Sequence, residues 1–218
     1  MTAIDIFPWD ENFNTGIELI DSQHQRLVLL INRLAREVAF GCDALELYKI
    51  FDELVEYTNY HFTSEEAIWK EHLAGEEMER EHIDIHAGFV DVVLKSRENI
   101  SHEGAEEMLK YLTMWLASHI LETDRYLARV VLYIQDGLEM KEAKTRASVD
   151  MGGLMRKLID LILSVYGMLS SNTLRLMMEI RDNEQKIEEN IAAQNEILES
   201  KNLLITIIDT LPVRVFWK

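Results

Sequence analysis

The sequence has few residues that break a helix. Only Pro8 and Pro212 are proline, and 9 of the 218 residues are glycine. Proline locks φ and removes an N–H donor, and glycine loosens the backbone, so their scarcity favours long helices. Cysteine is scarcer still. Cys42 stands alone, so no internal disulfide can form, and a reducing, cytoplasmic setting is expected. Cys42 itself reads as an inert helix-end residue. Met1 to Asp10 lacks the positive charge of a signal peptide. The most apolar stretch, Leu158 to Leu169, is interrupted by Asp160 and falls well short of the roughly 20 residues of a membrane span. Basic residues are in deficit. The 22 Lys and Arg face 39 Asp and Glu, for a net charge of −17, which argues against nucleic acid or an anionic lipid surface as partner.

What is present is apolar material, 48% of the chain, arranged with helical periodicity. After an irregular arm to Gly16, Leu19, Ile20, Leu27, Leu30, Ile31, Leu34 and Val38 recur at helix spacing over about Glu18 to Phe40. Gly41 suits the end of that helix and Asp43 the cap of the next. Leu47, Ile50, Phe51, Leu54, Tyr57 and Phe62 form the stripe of a second helix that runs to about Leu73, and Gly75 breaks it. A third helix is expected over about Glu76 to Arg97. A fourth opens at Ser101 and stops at Asp136-Gly137. Long helices joined by short connections predict an all-α, antiparallel four-helix bundle over residues 1–136.

The remainder differs in character. Leu138 to Val149 reads as a charged helical connector, and Gly152-Gly153 as a weak point or hinge. A strongly apolar helix follows through Leu154, Leu158, Ile159, Ile162, Val165, Tyr166 and Leu169. Farther on, Ile191, Leu198 and Ile205 repeat every seven residues, matched by Ile187, Gln194, Lys201 and Ile208. This is a coiled-coil seam with two polar positions. Residues 137–210 are thus expected to be a helical linker and coiled coil, pairing two chains as a homodimer through residues 154–208. Residues 211–218 alternate around Pro212 like the start of a strand.

The histidines carry the chemistry. His61 and Glu65 are four apart, as are His82 and His86. On a helix such pairs share one face, about 6 Å apart along the axis. Two imidazoles so placed can hold one metal ion, and a carboxylate can bridge two. His24 lies on the first helix, and His119 with Asp124 on the fourth, so every helix offers one or two ligands. Mixed imidazole and carboxylate ligation suits iron, zinc or manganese, and the lack of cysteine ligands argues against structural zinc or an iron–sulfur cluster. Seven donors are too many for one ion and suit two. The five-residue step from His119 to Asp124 would put them about 140° apart on a regular helix, so a local π-type widening is predicted between them. His72 lies about 10 Å farther along its helix than Glu65, and His102 sits beside Ser101. Both read as solvated residues.

The stretches Asp21-Ser22-Gln23-His24, His61-Phe62-Thr63-Ser64-Glu65-Glu66, His82-Ile83-Asp84-Ile85-His86 and Trp115 to Asp124, with Pro8-Trp9, resemble the bacterial branch of the hemerythrin family. The likeness spans roughly residues 5 to 135. It implies a di-iron centre with an oxo or hydroxo bridge. His82, His86 and His119 would fill one iron. His24 and His61 would hold the other and leave a position for dioxygen. Glu65 and Asp124 would bridge. Trp115, Ala117 and Ile120 are candidates to line the oxygen pocket. Ala117 is small for that place, so a roomier pocket and faster autoxidation are expected.

The chain end from Ile205 to Lys218 resembles the opening of a PAS domain, and bacterial proteins of this order often continue to a signalling enzyme. None of that catalytic machinery is present, so the chain itself is not expected to be an enzyme. The reading is an oxygen or redox sensor that reports to a C-terminal output through its helical linker. An oxygen carrier or store, which needs no coiled coil, is one alternative. A di-iron peroxidase or nitric oxide-handling enzyme is another, and it would need a proton donor that the sequence does not offer.

Overall fold

The computed structural model describes residues 5–41, 44–97 and 102–210. Cys42, Asp43, Ser101, the His102 side chain and the strand-like, PAS-like end over residues 211–218 lie outside the described residues. Among those described, every regular element is a helix. A short 3₁₀ turn, Glu11–Phe13, precedes α1 (Glu18–Phe40), α2 (Ala44–Leu73), α3 (Glu77–Arg97) and α4 (His102–Ser118). A π-helical segment, His119–Asp124, then joins α4 to α5 (Arg125–Gln135), and α6 (Met140–Met151) and α7 (Gly153–Thr210) follow. The expected fourth helix is therefore α4, the π segment and α5 end to end. Two compact units divide the chain at Met177/Met178.

In the first unit, α1 packs on α2 and α4, α2 on α3 and α5, and α3 on α4. Left-handed glycines make the corners. Gly41 (φ 75°) ends α1 with its N–H on the Glu37 carbonyl at 3.1 Å, and Gly137 (φ 94°) turns the chain out of α5. Two apolar layers result. Leu27, Ile31, Leu34, Leu54, Leu109 and Leu112 fill one. Ile20, Trp69, Leu73, Leu127 and Val131 fill the other. Along each helix the ligand candidates fall between them.

The bundle does not stand alone in this unit. Ala143 and Ala147 of α6 are fully buried in the second layer. The helix breaks at the glycine pair, where Gly152 is extended and Gly153 left-handed (φ 56°). A Cβ on Gly152 would lie 2.9 Å from the Ser148 carbonyl oxygen, so only glycine fits there without a backbone shift. The start of α7 then buries Ile159, Ser170, Leu174 and Met177. Tyr166 packs edge-on against Phe7 and Phe13 at 5.3 and 5.1 Å, and its hydroxyl donates to the Pro8 carbonyl at 2.7 Å. The Ser170 hydroxyl donates to the Ile6 carbonyl at 2.8 Å. Asn32 holds the same arm from α1. It accepts from the Phe7 N–H at 2.9 Å and donates to the Phe7 carbonyl at 2.8 Å.

In the second unit, α7 continues as helix, and Ile187, Ile191, Leu198, Ile205 and Ile208 of the heptad seam are exposed.

Asn32→Ala leaves both buried polar groups of Phe7 unpaired. It should destabilise the chain by about 3 kcal/mol, read as a lower midpoint in urea unfolding.

Candidate metal centre

Seven donors meet between the two layers. α1 supplies His24. α2 supplies His61 and Glu65 from successive turns, and α3 supplies His82 and His86 likewise. His119 opens the π segment and Asp124 closes it. None is more than 3% exposed. His72, by contrast, sits outside the cluster against Gln135 Nε2 at 3.3 Å.

The predicted π segment is present, and it solves a geometric problem. A π turn takes more than four residues, so a step of five brings Asp124 back to the face of His119. Asp124 Oδ1 lies 3.0 Å from both His119 Nε2 and His82 Nε2, while Oδ2 faces His24 Nε2 at 3.3 Å. Each oxygen thus looks to a different side. Glu65 sits across from it. Oε2 is 3.4 Å from His86 Nε2 and 3.6 Å from His61 Nε2, and Oε1 is 3.9 Å from His24 Nε2. The donors fall into two overlapping groups, Glu65 with His82, His86 and His119, and Glu65 with His24 and His61. Within each, the ligand atoms lie within 4.8 Å of one another.

Burial sets the charge state. It pushes the His61 imidazole well below its ordinary value, with His24 adding to the effect. The same cause lowers His86 strongly and brings His119 to about 3. Burial, then the neighbouring Asp124, pushes Glu65 well above the usual carboxylate range. Burial also opposes ionisation of Asp124, but His119 beside it, with His24 and His82 close by, outweighs it, and its carboxyl is held low. Neutral imidazoles aimed at one point are what a cation requires.

Several of these atoms have no hydrogen-bond partner at zero exposure, among them both nitrogens of His24, His61 Nε2, both oxygens of Glu65 and Asp124 Oδ2. Orphaned buried donors and acceptors are costly and rare, and this set converges. The arrangement fits a metal site.

A family model, the hemerythrin HHE cation-binding domain, matches residues 15–131. The chain belongs to the hemerythrin family. It is 34% identical over 118 residues to a bacteriohemerythrin of Pseudomonas aeruginosa, covering 53% of this chain and 75% of that protein. It is 30% identical over 122 residues to one from Stenotrophomonas maltophilia, covering 55% and 78%. It is likewise 30% identical over 118 residues to a myohemerythrin of Theromyzon tessulatum, covering 54% and 88%.

Around this hemerythrin-type cluster stand residues that spacing alone did not single out. His61 Nδ1 meets the Gln23 side-chain Oε1 at 3.0 Å, and Gln23 Nε2 donates in turn to the Ser64 hydroxyl at 3.2 Å. His86 Nδ1 meets the Glu66 carboxylate at 3.0 Å. Each partner fixes a tautomer and frees Nε2 to ligate. Both flank a ligand in the quoted stretches, so sequence held the signal without the geometry. Phe62 stacks on the His86 ring at 3.5 Å, and Trp115 on that of His119 at 4.3 Å. A small apolar void one turn from the cluster is lined by Leu27, Thr58, Phe62, Trp115 and Leu116 among others. Ala117 and Ile120 are fully buried but are not among its lining.

Two outcomes follow. Glu66→Gln removes the charged partner of His86 and should weaken metal retention about 10-fold or more, measured by competition with a chelator. In the metal-free chain, His61, His86 and His119 stay neutral where their unfolded counterparts, near 6.5, take up protons. The unfolded state then binds more protons below pH 6.5, so stability falls with pH from there. Asp124 adds the same sign below its ordinary 3.8. Glu65 opposes, because the fold keeps its proton above 4.5, but one carboxyl faces three imidazoles. Urea midpoints at pH 7.5 and pH 5 should differ, with the lower one at pH 5.

Proposed function

We propose that the cluster holds two iron ions, bridged by Glu65 and Asp124 beside an oxo or hydroxo group, and that the chain is a non-haem oxygen-binding sensor domain. Iron so held would supply reversible redox chemistry toward dioxygen. The observation that carries the reading is the unequal division of the donors. His82, His86 and His119 crowd one side, and His24 and His61 serve the other, which leaves a coordination position open there. Three imidazoles and two carboxylates satisfy the first ion, and two imidazoles with the same carboxylates leave the second short.

The protein's own residues then do three things. Gln23 and Glu66 keep His61 and His86 oriented. Phe62, Trp115, Leu27 and Leu116 keep bulk water from the open side, and Trp115 shields His119. Ala117 and Ile120 stay in the proposal as oxygen-pocket residues one position on from Leu116 and His119. With a methyl group in place of a larger side chain, Ala117 leaves room that favours faster autoxidation.

Support for signalling comes from what touches the π segment. Glu122, within it, pairs with Arg156 of α7 at 3.0 Å and accepts from the Ser118 hydroxyl at 2.7 Å. Leu163 of α7 lines one cleft together with His119, Trp115 and Thr123. A Cβ on Gly167 would lie 3.1 Å from Met114 Sδ of α4, so α7 and α4 meet closely. A change in ligation at His119 or Asp124 thus has α7 as its neighbour, and α7 is the helix that continues toward an output. In this reading residues 1–136 are the sensor domain, residues 137–210 the linker, pairing two chains through residues 154–208, and residues 211–218 the opening of a following PAS-like domain. No helix among the described residues is long and apolar enough to cross a membrane, and a cytoplasmic site of action belongs to the proposal.

Purified protein should carry about two irons per chain, with charge-transfer bands that bleach on anaerobic reduction and return in air. One zinc, or no metal, would overturn the di-iron reading. Hydrogen exchange over residues 153–177 should differ between the oxidised and reduced forms. Identical exchange would leave an oxygen-binding domain without the sensor role.

A further inference from the structure

The first part of α7 is apolar on two sides, and only one of them is covered. Ile159, Ser170, Leu174 and Met177 are at most 5% exposed against the bundle and the N-terminal arm. On the other side, Leu154, Leu158, Leu161, Val165, Met168, Leu169 and Leu176 are 43–72% exposed. At about 100° per residue the two sets centre roughly 140° apart on the helix. A solvent-facing helix side is ordinarily polar. This one carries a row in which 154, 158, 161, 165 and 168 alternate steps of four and three, the spacing of a helix–helix seam.

We propose that this outer face is where the α7 helix of a second copy of the same chain docks. This rests on the pairing proposed above and assigns it a face. Three observations favour a second copy over other occupants. First, the row continues at its next seam position with Asn172, which is exposed. A single polar seam residue fits an identical partner in register, where it meets itself. Second, the seven exposed side chains offer on the order of 600 Å² of apolar surface. That approaches the roughly 800 Å² per partner of a standard interface before any pairing of the distal heptads is added. Third, the net charge of −17 disfavours an anionic membrane as the cover. Leu169 and Leu176 widen the row beyond a strict two-position seam, so the packing is that of bundle helices. α7 then lies between its own bundle and its partner. The partner helix axis comes about 8–10 Å from that of α7, with the π segment on the opposite flank.

The test is the association state of the full, metal-loaded chain by sedimentation equilibrium. The double variant Leu161→Glu, Val165→Glu changes only side chains that are 60% and 46% exposed, so fold and metal content should persist. It should weaken dimerisation at least 100-fold. In a second variant, Leu161→Cys with Cys42→Ser, mild oxidation should give a disulfide-linked dimer in high yield. A wild-type chain that stays monomeric at tens of micromolar would overturn the pairing itself. A dimer lost in Leu198→Glu but indifferent to Leu161→Glu, Val165→Glu and not cross-linked through position 161 would keep the pairing and overturn this face. Flotation of a monomeric wild-type chain with phosphatidylcholine vesicles would reassign the face to lipid.

Discussion

Burying five imidazoles and two carboxyl groups in the middle of a helical bundle is expensive, and the rest of the structure is arranged around that expense. Each such group loses its hydration, and without a compensating bond the loss is on the order of kcal/mol per group. The fold limits it by holding three of the imidazoles toward their neutral forms. His61, His86 and His119 are all pushed below their ordinary values by burial. It also sets apolar layers on both sides, with Trp69 and Leu73 in one and Leu34 and Leu109 in the other. Those layers pack the helices together on either side of the central groups. The atoms left without partners, such as His24 Nε2 and Asp124 Oδ2, are the residue of the expense, and a bound cation is what removes it.

The π segment is the same constraint expressed in the backbone. A regular helix would turn Asp124 away from His119, and the five-residue step would put one of them in solvent or in an apolar layer. Widening one turn keeps both in the cluster, and α5 continues beyond with Leu127 and Val131 in the core. A π segment gives up regular i→i+4 bonding. This irregular turn lies where Glu122 is held by Arg156 and where Leu163 lines a cleft with His119. The turn that carries His119 and Asp124 thus touches α7 where the backbone departs from regular α-helix.

Much of this was legible in the sequence. Helix bounds followed from periodicity and breakers, and spacing picked out the seven side chains that the fold brings together. The π turn followed from an arithmetic mismatch, because five residues cannot face one site on a regular helix. What was not legible is instructive. The apolar pattern of residues 154–169 says that a face is buried, not against what. The sequence reads residues 137–210 as linker, while the part of α7 up to Met177 packs on its own bundle and arm through Ile159, Tyr166 and Ser170. Periodicity has no term for contacts 158 or 164 residues apart in sequence. Gln23 and Glu66 lay in plain view beside ligands. Whether a neighbour in sequence reaches an imidazole's far nitrogen depends on rotamer and helix rotation, so only the folded chain joins Glu66 of α2 to His86 of α3. The void beside the cluster was anticipated at Trp115, but its other walls, Leu27 and Thr58, come from α1 and α2, which spacing on the fourth helix cannot reveal.

The charge state of the cluster decides how a metal can enter. His61, His86 and His119 are held toward their neutral forms, so at neutral pH uptake need not expel protons from them. Glu65 differs. Burial and the adjacent Asp124 favour its protonated form, whereas the imidazoles around Asp124, His119 first, favour its carboxylate. The two carboxyl groups of the cluster are thus pushed in opposite directions. A cation held among these groups would favour the ionised form of both carboxyls. Two carboxyl groups pushed apart in their titration by burial and by their neighbours would then titrate alike, so the protonation of Glu65 is tied to the loading of the site.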